Sequence, residues 1–118
     1  DGCCYKAIKR NRQSAIAAGV DAAISYNRSA LSHAWASRNH EILQHKIGAG
    51  WWLWKPYLIL KTLRQESVPW GKGVVLWLDA GNYLSGNVRE VVDAALRHGD
   101  VAAMQLKACF EMDWTSGR

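Results

Sequence analysis

The chain has 118 residues, a length that suits one domain or part of a larger one and leaves room for a buried core. An apolar fraction of 49% and a charged fraction of 21% argue against disorder. No run of about 18 apolar residues is present to form a transmembrane helix. The net charge of +5 favours anionic partners such as nucleotides, sugar diphosphates, nucleic acid or acidic lipid. No dense Lys/Arg run singles out nucleic acid, and the cluster Lys6, Lys9, Arg10 and Arg12 is explained by a solvated helix face.

The pattern predicts a helix over residues 5–18. Tyr5, Ile8, Ala15 and Ile16 fall on one side, the other side is basic, and Gly19 is a natural stop. Residues 22–26 form a short strand candidate. Asn27, Arg28 and Ser29 then read as a turn and cap for a helix over residues 30–38. A flexible loop at residues 48–50 leads into Trp51, Trp52, Leu53, Trp54, Lys55 and Pro56. Pro56 suits the first turn of a helix running to about Gln65, with Ile59, Leu60 and Leu63 on its apolar face. Pro69, Gly71 and Gly73 punctuate the next loop.

The run Val74, Val75, Leu76, Trp77, Leu78 is short, apolar and bounded by Gly and Asp, which predicts a strand buried on both faces. Residues 87–98 carry Val88, Val91, Val92, Ala95 and Leu96 at helical spacing. Asn87 and Glu90 suggest a capping box, and Gly99 a stop. Residues 101–106 follow as a further strand. This alternation predicts an α/β fold with a mostly parallel sheet and helices on its faces.

Ligands of such sheets bind beyond the carboxyl ends of the strands. Asp79 stands there, after Leu78. It suits a metal or a ribose hydroxyl, but taken alone it reads first as a turn formed with Ala80, Gly81 and Asn82. Lys55, at a helix start, suits phosphate, or a solvated lysine whose stem covers the tryptophans. Seven Trp are many for this length. Trp35 and Trp77 read as core filler. Trp51, Trp52 and Trp54 are too close together to enter one core, so at least one belongs at a surface, as a sugar platform or a domain interface. Glu111, Asp113 and Trp114 follow the last strand candidate, and a carboxylate beside an aromatic suits an acceptor site or general base as well as a solvated loop.

The remaining chemistry is sparse. The three Cys (Cys3, Cys4 and Cys109) include no CxxC pair, so neither a zinc site nor a disulfide framework is expected. No two of the four His have the i, i+4 spacing of a helical metal site.

The segment Gly50, Trp51, Trp52, Leu53, Trp54, Lys55, Pro56, Tyr57, Leu58, Ile59, Leu60 resembles a family of nucleotide-diphospho-sugar transferase-like proteins of capsule and other polysaccharide biosynthesis. In that family a glycine-aromatic-WLWKP segment opens a helix, and a hydrophobic strand ends in Asp-Ala-Gly. Here these are residues 50–56 and Leu78, Asp79, Ala80, Gly81. An acidic residue before a Trp-Thr pair follows, matched by Glu111, Trp114 and Thr115.

The resemblance covers nearly the whole chain and implies a GT-A-like, Rossmann-type sheet with helices on both faces. Residues 1–118 would be a single partial nucleotide-sugar-binding domain, because the first strand and the second half of such a domain are not visible. The implied activity is a glycosyltransferase that moves a sugar from a nucleotide-diphospho-sugar donor to a glycan acceptor. Lys55, Asp79, Gly81, Trp52 and Trp54 would line the donor site, Trp114 and Thr115 the acceptor, and Glu111 or Asp113 would act as base. Gly81 stands where the second carboxylate of a DxD motif would be. Asp79 alone would hold Mn²⁺ or Mg²⁺, or instead bond the ribose. The implied location is the cytoplasm or the Golgi lumen. The alternatives are a non-catalytic nucleotide- or carbohydrate-binding module and a nucleic-acid-binding domain.

Overall fold

A computed structural model describes residues 5–65 and 73–99. The helices are α1 (Tyr5–Ala17), α2 (His33–Arg38), α3 (His40–Leu43), α4 (Gly48–Trp51), α5 (Trp54–Leu63) and α6 (Val88–His98), with one 3-10 turn at Arg28–Ala30. The chain divides into two units, Asp1–Gly86 and Asn87–Arg118.

The α/β expectation is corrected: among the described residues there is no strand. A strand exists by exchanging backbone hydrogen bonds with a neighbour. Residues 22–26 and 74–78 make no such bond to another segment among the described residues. The strand candidate at 101–106 lies outside the described residues. The 74–78 run is also not covered on both sides. Val74 and Leu76 are 45% and 39% exposed, whereas Val75 and Trp77 are half-buried. The apolar run therefore reflects one packed side and one open side rather than a sheet interior.

Helix α5 organises the first unit. Its Leu58 is 2% exposed, the most buried large side chain described. One residue earlier, the Tyr57 ring stacks on Trp35 of α2 with centroids 4.3 Å apart, and its hydroxyl accepts from the Ser32 amide at 3.3 Å. Lys61 Nζ donates to the Ala30 carbonyl at 2.7 Å. Thr62 is buried, and its hydroxyl donates to the Leu58 carbonyl at 2.8 Å. That proton is spent, so the Tyr26 hydroxyl, 2.8 Å away, must be the donor of the bond between them. Tyr26→Phe is expected to cost about 1 kcal/mol, the usual net worth of such a bond, as a lower urea midpoint with an unchanged slope.

Caps set the helix boundaries. Asn27 caps the 3-10 turn, and Ser32 Oγ accepts from the Trp35 amide to start α2, so the helix expected from residue 30 begins three residues later. Two apolar members of the predicted α1 face, Tyr5 and Ile16, are 68% and 54% exposed, and only Ala15 of that helix is buried.

The segment before α5, expected as a flexible loop, is a left-handed turn. φ is 59° at Gly48, 48° at Ala49, 99° at Gly50, 49° at Trp51 and 57° at Trp52. Left-handed backbone costs an L-residue about 1–2 kcal/mol, so the three non-glycine members carry a sizeable local penalty. Compensation comes from local bonds: Gly50 N to His45 O at 2.8 Å, Trp51 N to Ile47 O at 2.9 Å and Trp52 N to Gly48 O at 3.2 Å. Trp54 Nε1 adds a bond to the Gly48 carbonyl at 3.0 Å.

In the second unit, Asn87 Oδ1 accepts from the Arg89 amide at 2.9 Å and starts α6. Its stripe is unevenly covered, with Val88 8% exposed but Val91 and Leu96 41% and 61% exposed.

Candidate functional site

The residues singled out around position 55 and around position 79 meet in the first unit. Lys55 Nζ lies 2.7 Å and 2.9 Å from the two carboxylate oxygens of Asp79. Trp77 Nε1 donates to Asp79 Oδ1 at 3.0 Å. The Trp77 ring packs on Trp54 with centroids 5.9 Å apart and planes tilted by 57°. The Lys55 ammonium stands 5.9 Å from the ring centres of both Trp52 and Trp54. Thus a carboxylate and an ammonium sit among three indoles, on two segments 24 residues apart.

Local structure explains each placement. The left-handed turn ends at Trp52 and lets α5 begin at Trp54, which puts Lys55 in the first helical turn. The Trp52 ring packs where a Gly48 side chain would be: a Cβ there would lie 2.4 Å from the indole. On the other segment, Asp79 heads a turn closed by Asn82 N to Asp79 O at 2.9 Å. The turn expected at Asp79 forms, closed through its carbonyl, while its carboxylate faces Lys55.

The pair is partly open to solvent, with side-chain exposures of 24% for Lys55 and 56% for Asp79. The Lys55 hydrogen bond holds the Asp79 carboxyl below its ordinary value of 3.8, partial burial opposes this, and the Trp77 N–H assists. Asp79 therefore carries its charge throughout the neutral range.

Three further residues from α1 join the site. Arg10 Nη2 donates to the Gly81 carbonyl at 3.3 Å, and its guanidinium carbon lies 5.0 Å from the Tyr83 ring centre. Asn11 Nδ2 donates to the Asp79 and Asn82 carbonyls at 3.3 Å and 3.1 Å. Ser14 Oγ accepts from the Leu84 amide at 3.0 Å. The sequence reading assigned this basic stretch to solvent. The available signal was spacing, because positions 10 and 14 are four apart and 11 and 14 three apart, which places all three on one face. Trp77, read as core filler, instead orients the carboxylate. Its signal was its place two residues before Asp79, on the same side of an alternating run.

Gly81, expected to line the donor site, takes part through its carbonyl, which accepts from Arg10, and its Cα faces open space. Glu111, Asp113, Trp114 and Thr115 lie outside the described residues. For a divalent cation the donor set at Asp79 fits poorly. Lys55 already occupies both oxygens, and among the described residues no group of three or more His, Cys, Asp or Glu gathers to bind metal. No helix among the described residues is long and apolar enough to cross a membrane.

Set beside known proteins, the chain matches no family model, no curated protein and no solved structure.

Proposed function

We propose that the chain contributes the donor site of a glycosyltransferase that moves a sugar from a nucleotide-diphospho-sugar to a glycan acceptor. The observation that carries this reading is the Lys55–Asp79 pair held among Trp52, Trp54 and Trp77. A carboxylate accepts hydroxyl protons of a ribose or sugar, and an indole face packs against sugar carbons or a base. Trp52 is 49% exposed and is the indole of the three most available to a ligand. Lys55 has three N–H donors and spends two of them on Asp79, leaving one for a phosphate oxygen. The reading rests on these side chains and on the resemblance of residues 50–60 and 78–81.

A non-catalytic nucleotide- or carbohydrate-binding module is the second reading. One observation favours it: both Asp79 oxygens are engaged by Lys55, so this carboxylate is not a free base. Glu111 and Asp113 remain the proposed bases of the transferase reading.

The test is a calorimetric titration with UDP, GDP and CMP, followed by nucleotide-sugar turnover with a glycan acceptor. Binding of one nucleotide together with sugar transfer supports the transferase. Binding without turnover supports the module, and no binding by folded protein rejects both donor-site readings.

A further inference from the structure

Lys55 and Asp79 cancel one another's charge, so the pair adds no net positive charge to the place it occupies. A second cation stands at the same turn. Arg10 is held there by the Gly81 carbonyl and the Tyr83 ring, and its neighbour Asn11 fixes the carbonyls at both ends of the turn. Among the described residues, no carboxylate lies within ion-pair distance of Arg10. One of its five N–H groups goes to Gly81, and the others have no protein acceptor among the described residues.

A guanidinium held in position without a counter-charge is a prepared anion receptor. Its planar fork matches the oxygens of a phosphate, which a point-like ammonium does not. Position decides the rest. Arg10 contacts Gly81, two residues beyond the carboxylate that pairs with Lys55, so Arg10 and the pair are held on one and the same turn.

We infer that Arg10 is the principal diphosphate contact of this site, with Lys55 serving mainly to hold Asp79. The inference rests on the nucleotide-sugar reading for the identity of the ligand. Its anion chemistry can be tested without that reading. An arginine that only anchored the turn would affect stability and leave anion affinity alone.

The experiment titrates the full chain with UDP, inorganic pyrophosphate and uridine, using wild type, Arg10→Met, Arg10→Lys and Asn11→Ala. Asn11→Ala removes an anchor of the turn without changing charge, and thermal melts establish that each variant is folded. The expected result is at least a tenfold loss of UDP and pyrophosphate affinity in Arg10→Met, partial recovery in Arg10→Lys and a smaller loss in Asn11→Ala. Uridine binding should not change. Wild-type affinity for UDP should also fall more steeply with salt than that of Arg10→Met.

If Arg10→Met binds UDP and pyrophosphate like wild type, the assignment is overturned even where Asp79→Ala has lost UDP. If pyrophosphate binds through Arg10 but no nucleotide binds, the anion site stands and the nucleotide-sugar reading fails. If the folded wild type binds neither, both fail.

Discussion

Gly50→Ala is expected to lower stability by about 2–5 kcal/mol, combining left-handed strain with overpacking. Position 50 has φ +99°, and an added Cβ would stand 2.8 Å from Leu43 Cα and 3.1 Å from the Ile42 carbonyl oxygen. These are backbone atoms around α3, so no side chain can rotate away. Relief requires the turn to move off Leu43, itself one of the few buried hydrophobic residues. The expected readout is a lower urea midpoint. A weaker effect on nucleotide binding should accompany it, because the same turn delivers Trp52 and Lys55. Ala49→Gly is the informative partner. It removes the strain of φ 48° but adds chain entropy to the unfolded state. The two terms are each about 1 kcal/mol, so the expected result lies between neutral and slightly stabilising. A clear loss of stability in Ala49→Gly would mean the segment is not left-handed.

Asp79→Ala should affect binding far more than folding. Exposed ion pairs are worth about 0–1 kcal/mol, and the 56% side-chain exposure of Asp79 puts this pair in that class. Nucleotide affinity should nevertheless fall at least tenfold, because the substitution removes the hydroxyl acceptor and releases both Lys55 and Trp77. Asp79→Asn separates the parts. It retains an acceptor for Trp77 but not the charge that holds Lys55, and should fall between wild type and Asp79→Ala.

The pH dependence follows from the depressed Asp79 pKa. The stabilisation from the pair is complete above the unfolded value near 3.8 and is lost as pH falls through the lower folded value. Both stability and binding should therefore be insensitive to Asp79 from pH 5 to 8. A loss of its contribution in that window would contradict the Lys55 contact.

Local signals in the sequence are more legible than tertiary ones. Helices around positions 5–17, 54–63 and 88–98 follow from apolar spacing and from stops such as Gly19 and Gly99, and their bounds differ from expectation by a few residues. At 22–26 and 74–78 no strand forms, because a short apolar run does not reveal what lies beside it. Residues 74–78 have the composition of a sheet interior, yet Val74 and Leu76 face outward and no ladder partner is present among the described residues.

At the site, Lys55 and Asp79 were each legible from helix-start and turn chemistry, while their meeting across 24 residues was not. The role of α1 was hidden for a similar reason. Arg10 reads as part of a solvated basic face, and nothing local marks Asn11 and Ser14, until the 79–84 segment is laid against them. The left-handed turn was partly signalled by Gly48 and Gly50, but Ala49, Trp51 and Trp52 give no local hint of positive φ.

If nucleotide binds where Lys55, Asp79 and Trp77 meet, as proposed, the Trp77 indole is a direct reporter, because its N–H donates to Asp79. The chain has seven Trp, hence seven indole N–H resonances, each assignable by a Trp→Phe variant. The measurement is a ¹H–¹⁵N titration of the full chain with UDP, GDP and CMP. One nucleotide is expected to shift the Trp77 and Trp52 indole signals in a saturable way while Trp35, stacked on Tyr57, stays still. Saturable shifts that spare Trp77 and Trp52, or no shift with any nucleotide, would contradict the proposed site.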